Sequence, residues 1–279
     1  MSGIELDEGR VERSGGPALY YASAMPPSPK AMLAMVHGYA DHGARYAHVQ
    51  GALAEHGIGS VIIDLRGHGK AEGTRGYCER FSDYHDDVRE LRRLAAERAK
   101  DAPLFLFGHS FGGLVVTSSV LESPSPWKGL VLSAPLFGLA LEVPKIKIIA
   151  GKIASRLVPK LGLPSGLTGK DMTSDEAKAR EYDADPLAFK DARARWFTES
   201  SKTQDYVLAN AKKLTMPLYL TIGTKDPIVS LPTAKKFFES AGSTDKTFVP
   251  QEGLLHEVVN EPTWKDVVEP IAKWILAKV

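Results

Sequence analysis

Short apolar runs alternate with longer stretches of helical periodicity along most of the chain. The runs at 32–36, 60–63, 104–107, 130–132, 218–222 and 246–249 are only long enough for buried strands, and most stop at Gly, His, Asp or Pro. The stretches at 46–56, 84–100, 113–121, 231–239 and 263–278 repeat apolar residues every three or four positions, the spacing of one helix face. Such βα repetition predicts a mostly parallel central sheet with helices on both faces. Two earlier segments, 4–12 and 18–25, alternate with glycine and proline between them and read as a leading antiparallel hairpin.

The alternation lapses over 136–196, which holds Pro144, Pro159, Pro164 and Pro186, several helical stretches and no convincing strand. A structureless loop of that length is foreign to a compact domain, so the segment predicts a helical cap inserted over the C-terminal edge of the sheet. The core is then 1–135 together with 197–279. Within the cap, Ile146, Ile149, Ile153 and Leu157 fall at helical spacing, and the charges nearby (Lys145, Lys147, Lys152, Arg156, Lys160) are all positive. The stripe either packs on its own domain with the lysines solvated, or it is an interfacial amphipathic helix with a lipid-facing side.

Composition narrows the classes. The 279 residues suffice for one large core, so the count of domains rests on the pattern rather than on length. Thirty-five basic against 34 acidic residues leave a net charge of +1, which gives no global field for nucleic acid. Cys78 stands alone, so there is no internal disulfide and no multi-cysteine metal site; it is read as structural. The first residues carry acids and arginines where a secretory signal needs an apolar stretch, and basic residues interrupt the best candidate for a membrane span. The expectation is a cytoplasmic protein, with the cap as its candidate peripheral membrane contact.

The candidate chemistry starts at Gly108-His109-Ser110-Phe111-Gly112, which follows the apolar run at 104–107 and precedes a helix expected from near Gly113. The five letters alone are weak; the position between strand and helix gives them weight. A sharp turn there exposes the serine hydroxyl and aims the helix N-terminus where negative charge develops. A serine needs a base, and in this arrangement the acid and the histidine follow it in chain order. Of eight histidines only His256 lies after Ser110. The orienting acid belongs on the loop leaving the strand at 218–222, where Asp226 stands; Asp245 is at the wrong end of its strand. Asp171, Asp175, Asp183, Asp185 and Asp191 fall in the cap, where solvated surface or helix capping is expected of them. Oxyanion donors are expected from the backbone NH groups of Phe111 and of Tyr39, in the turn Val36-His37-Gly38-Tyr39. Each assignment has a structural competitor: Ser110 in a plain tight turn, His256 as a surface loop residue, Asp226 as a turn residue before Pro227, and His37-Gly38 as a strand-ending turn.

With those residues in place, the chain resembles the monoacylglycerol lipase and lysophospholipase-like branch of the α/β-hydrolases along nearly its whole length. Five stations match in order: the His37-Gly38 loop continuing through Asp41-His42-Gly43-Ala44-Arg45-Tyr46, then Asp64-Leu65-Arg66-Gly67-His68-Gly69, the Ser110 elbow, Asp185-Pro186-Leu187, and Gly223 to Asp226 with His256. Two positions depart from the branch: Asp41 stands where Glu is usual, and Ala71 where Ser is usual. The loop at 64–69 reads as structural support, so His68 receives no catalytic role.

The resemblance implies ester hydrolysis through an acyl-serine intermediate, with monoacylglycerol as leading substrate and neither metal nor organic cofactor. Competing substrates are short- or medium-chain carboxylic esters, lysophospholipids and thioesters. A proline-type aminopeptidase is disfavoured, because His37-Gly38-Tyr39-Ala40-Asp41 replaces the expected Gly-Gly-Pro-Gly segment. The reading outside enzymology is a ligand sensor on the same fold.

Overall fold

The computed structural model describes residues 6–124, 126–140 and 145–279. Among the described residues, ten strands are interspersed with nine α-helices. In chain order the first half runs β1 (Asp7–Val11), β2 (Leu19–Ala24), β3 (Ala31–Val36), α1 (Ala47–Glu55), β4 (Ile58–Asp64), α2 (Ser82–Ala99), β5 (Leu104–His109), α3 (Phe111–Glu122) and β6 (Gly129–Ser133). There follow α4 (Lys145–Leu157), β7 (Gly162–Pro164), α5 (Gly169–Met172), α6 (Glu176–Ala184), β8 (Asp191–Arg193), α7 (Ala194–Asn210), β9 (Leu218–Gly223), α8 (Leu231–Ser240), β10 (Lys246–Gln251) and α9 (Trp264–Leu276).

Eight strands form one sheet in the order β1-β2-β4-β3-β5-β6-β9-β10. The leading hairpin is antiparallel within itself and against β4, and the other pairs are parallel. This is the α/β-hydrolase fold that the pattern predicts; residues 4 and 5, where the hairpin's first strand is expected to begin, lie outside the described residues.

The strand period of two sorts side chains into two cores. In β3, Met32, Ala34 and Val36 face α2 and α3, while Ala31, Leu33 and Met35 face α1 and α9. Parallel strands covered on both faces carry near-continuous apolar runs, and β3 and β4 are buried throughout, with Ser60 and Asp64 the polar residues of β4. The last strand, β10, is an edge and is only half-buried, so the expectation of burial fails there.

Two further expectations need correction. The stretch expected to hold no strand contains β7 and β8, which pair antiparallel as a three-residue ribbon (Gly162 with Arg193, Pro164 with Asp191). Segments so short carry no readable alternation. The helix after the elbow begins at Phe111 rather than near Gly113, because Ser110 itself occupies the capping position.

Between β6 and β9, α4 lies along α7. Ser155 Oγ and Thr198 Oγ1 share a hydrogen bond of 2.7 Å, and Arg195 donates from Nη2 to the Ser155 carbonyl at 3.0 Å. Small residues therefore make the contact: Gly151 faces Phe197 and Ser155 is buried. Ile146, Ile149, Ile153 and Leu157 point the other way and are 55–76 % exposed, as are Lys152, Arg156 and Lys160 to varying degree. The side chains of Lys145 and Lys147, also counted in the positive run, lie outside the described residues.

Candidate active site

The elbow is built by glycines that lack room for a side chain. A Cβ on Gly108 would fall 2.6 Å from the Gly112 carbonyl oxygen, and one on Gly112 would fall 2.4 Å from the carbonyl oxygens of Val36 and His37. With both positions stripped, β5 runs straight into α3, and Ser110 is forced to φ +52°. A non-glycine residue in that region is strained, and the surrounding contacts hold it: the Ser110 NH donates to the Ser133 carbonyl (2.9 Å), and its carbonyl accepts from Leu136 and Leu114 (2.9 and 3.2 Å).

The three residues selected by chain order come together. Ser110 Oγ lies 2.8 Å from His256 Nε2, and His256 Nδ1 lies 2.7 Å from Asp226 Oδ2. The imidazole is 3 % exposed. The other Asp226 oxygen accepts from the NH groups of Ile228 (2.8 Å) and Val229 (3.0 Å), which fixes the carboxylate's rotation. Burial alone would push the Asp226 carboxyl up, but the adjacent imidazole and these NH groups outweigh it and hold it below the ordinary value. Burial would likewise push His256 down; the Asp226 charge and hydrogen bond, followed by the charges of Glu257 and Asp41, outweigh it and raise its affinity for a proton.

Tyr39 and Phe111 flank the serine. Phe111 opens α3, so its NH is among the first amides of the helix, which have no intrahelical acceptor. Gly38 packs on the serine, a Cβ there being 3.4 Å from Ser110 Cβ, and the turn is completed by Ala40 at φ +57°. The Tyr39 ring stacks on Trp196 at 3.6 Å between centroids, and its hydroxyl accepts from the Arg193 NH (3.2 Å). The turn is thus held from above by the β8–α7 segment.

The sequence stations around this turn prove to be its frame. His37 accepts from the Leu65 NH through Nε2 (3.1 Å) and donates from Nδ1 to the Gly38 carbonyl (2.7 Å). Asp64 accepts from the NH groups of Gly43 (2.6 Å) and Lys70 (2.7 Å), and a Cβ on Gly69 would strike it at 2.1 Å. Burial and the neighbouring His37 depress His68 to about 3, so it stays neutral beneath Tyr39 and Phe111. That placement suits support rather than proton transfer.

Asp41, Arg45 and Glu257 make a buried charge cluster beside His256. Arg45 donates from Nη1 and Nη2 to the two Glu257 oxygens (2.7 and 2.6 Å) and from Nη1 to Asp41 Oδ1 (2.9 Å). Asp41 also accepts from the Tyr46 hydroxyl (2.8 Å) and the His42 NH (2.8 Å). Burial would raise the Asp41 carboxyl, yet Arg45 and the surrounding imidazoles hold it well below its usual range.

Asp185 departs from its expected use as solvated surface or cap. Its Oδ2 lies 2.7 Å from His42 Nε2 while its Oδ1 accepts from the Leu187 NH (2.8 Å), so it joins the inserted segment to the turn. Asp171 and Asp175 do cap α5 and α6. Sequence reasoning missed Glu257 and Glu261 altogether. Glu261 is fully buried, accepting from the Leu255 NH (2.8 Å), the Ser174 NH (2.9 Å) and the Thr173 hydroxyl (3.2 Å). The available signal was two acids within five residues of His256 on a loop otherwise rich in apolar residues.

An imidazole on a strained, elbow-mounted serine, in a sheet of this topology, is the equipment of an α/β-hydrolase-type serine hydrolase. The family described as Serine aminopeptidase, S33 matches residues 27–263, and the chain belongs to that family. Over 271 residues it is 29 % identical to the Monoacylglycerol lipase of Mycolicibacterium smegmatis, covering 94 % of each chain. It is 31 % identical over 241 residues to Phospholipase YtpA of Bacillus subtilis, covering 86 % of this chain and 92 % of the other. The solved monoacylglycerol lipase of Paleococcus ferrophilus matches with a TM-score of 0.85 at 26 % identity, over 94 % of this chain and 99 % of the other. The protein is a serine hydrolase of the monoacylglycerol lipase-like kind. Among the described residues no helix is long and apolar enough to cross a membrane.

Proposed function

We propose that the protein hydrolyses monoacylglycerols, with Ser110 as nucleophile, His256 as general base and Asp226 as the residue that orients the base. His256 takes the serine proton as Ser110 Oγ attacks the ester carbon, and the NH groups of Tyr39 and Phe111 receive the developing oxyanion. The protonated imidazole then returns the proton to the leaving glycerol oxygen, and water releases the fatty acid from Ser110 by the same steps in reverse order. The observation that carries this reading is the continuous chain of 2.8 and 2.7 Å contacts from Ser110 through His256 to Asp226.

The choice of a long-chain lipid ester has separate support. Residues 136–196, read as the cap, expose the α4 isoleucines beside basic side chains, an arrangement suited to resting on an anionic lipid surface and taking a single-chain lipid from it. The names of the relatives from Mycolicibacterium smegmatis and Paleococcus ferrophilus point the same way. A lysophospholipid is the second reading, favoured by the Bacillus subtilis phospholipase. A series of monoacylglycerols, lysophospholipids and short nitrophenyl esters tests the choice. Preference for monoacylglycerol in kcat/KM is expected. A preference for lysophospholipid or for the shortest ester would reject it.

A further inference from the structure

Glu257 has no part in the three-residue chain, yet it is the immediate neighbour of His256 and its side chain is almost wholly buried. Every oxygen of that carboxylate is occupied: both take Arg45, and Oε2 takes the Asn260 amide as well (2.9 Å). Its backbone NH donates to the Met172 carbonyl of α5 at 2.7 Å. Arg45 in turn is bonded to Asp41, whose Oδ2 accepts from the Gly38 NH (3.3 Å) in the oxyanion turn. Glu257, Arg45 and Asp41 therefore form one rigid link between the loop of the base and the turn of the expected oxyanion donor. These two pieces stand 212 residues apart in sequence.

Resting on the reading of His256 as the base, we infer that Glu257 is a positioning residue for it: held by Arg45, it fixes the His256 loop against the Tyr39 turn and supplies a second carboxylate to the field in which the imidazolium forms. Two carboxylates and one guanidinium leave the cluster with one negative charge, and side chains only 4–12 % exposed leave that charge less screened than one at the surface. A buried ion pair is not an efficient stabiliser of a fold, since its desolvation offsets much of its attraction, so such a cluster beside the base asks for another purpose. The same saturation removes Arg45 as a free cation for an anionic headgroup.

The groups that face His256 come from every side. Asp226 comes from the loop after β9, Ser110 and His109 from the elbow, and Asp41 from the turn after β3, backed by Arg45 under the Tyr182 ring of α6. The His109 ring, 5.0 Å from His256, is depressed to about 4 by burial and by His256 itself, and so stays neutral where the base titrates.

The test compares wild type with Glu257→Gln, Glu257→Asp and Arg45→Gln on a neutral short ester, with folding checked by circular dichroism. The acid limb of kcat/KM and the pH dependence of fluorophosphonate labelling are both read. Glu257→Gln should move the limb down by about half a pH unit or more and lower kcat about ten-fold with KM nearly unchanged. Glu257→Asp keeps the charge and should keep the limb, while Arg45→Gln, which removes the compensating cation, should move it up. A Glu257→Gln limb identical to wild type overturns the inference. If that variant does not fold, an unmoved limb in Arg45→Gln does so instead. His256→Ala run alongside separates the two levels: label retained in that variant refutes His256 as base, whereas its loss with an unmoved Glu257→Gln limb refutes only the role of Glu257.

Discussion

Asp185 and His42 meet at 2.7 Å across 143 residues of sequence, and their contact pins the segment inserted between β6 and β9 to the turn that follows β3. His42 is nearly buried and Asp185 mostly so. Burial would raise the Asp185 carboxyl, but the His42 hydrogen bond and the Leu187 NH more than offset this and hold it below its ordinary value. A depressed carboxyl stabilises the fold above the unfolded value of about 4 and stops doing so as pH falls through the lower folded value. Asp185→Ala should therefore cost about 1–3 kcal/mol at neutral pH, measured as a lower urea midpoint. The difference from wild type should shrink as pH falls below about 4. An equal midpoint at neutral pH would mean that the contact holds nothing.

With His256 as the proposed base, the pH dependence of turnover follows from its titration. Its affinity for a proton is raised above the ordinary value of about 6.5, and only the neutral ring accepts the serine proton. Activity should thus fall along a single limb as pH drops, with the midpoint above that reference. Asp226→Asn removes the main charge behind the shift and the acceptor that orients Nδ1. It should lower the midpoint and reduce kcat by about 10⁴-fold. A wild-type profile flat down to about pH 4, measured on folded protein with a neutral ester, excludes a histidine base.

Exposure of the α4 stripe leads to a different measurement. Ile149→Ser/Ile153→Ser replaces two outward side chains whose removal leaves the Gly151 and Ser155 contacts with α7 in place. Binding to vesicles containing anionic lipid should weaken, added salt should weaken wild-type binding too, and hydrolysis of vesicle-borne long-chain monoacylglycerol should drop. A soluble short ester should be turned over at the wild-type rate. Unchanged vesicle binding with equal activity on both substrates would dispose of the lipid-facing cap.

The parts of this molecule legible in the sequence are those with a local cause. A parallel strand buried on both faces reads as a near-continuous apolar run, so all of β3 and the Val61-Ile62-Ile63 stretch of β4 announce themselves. The elbow is legible because two clashes, at Gly108 and Gly112, impose glycine on either side of Ser110 within five residues. His256 and Asp226 follow from chain order. What the sequence hides is pairing at a distance: nothing near Glu257 indicates Arg45, nor anything near Asp185 indicates His42, because a charged residue at the surface and one in a buried pair look alike in the chain. The outward turn of the α4 stripe was hidden for a related reason. Its helical spacing is the same whether the face meets α7 or solvent, and the small residues Gly151 and Ser155 decide it.

The most direct test of the account is covalent labelling of the protein with a fluorophosphonate followed by peptide mass mapping. The phosphonyl adduct is expected on Ser110 alone, with labelling and ester turnover both abolished in a folded Ser110→Ala variant, turnover falling by about a million-fold. An adduct on another residue, or a Ser110→Ala protein that still labels and still hydrolyses ester, would contradict it.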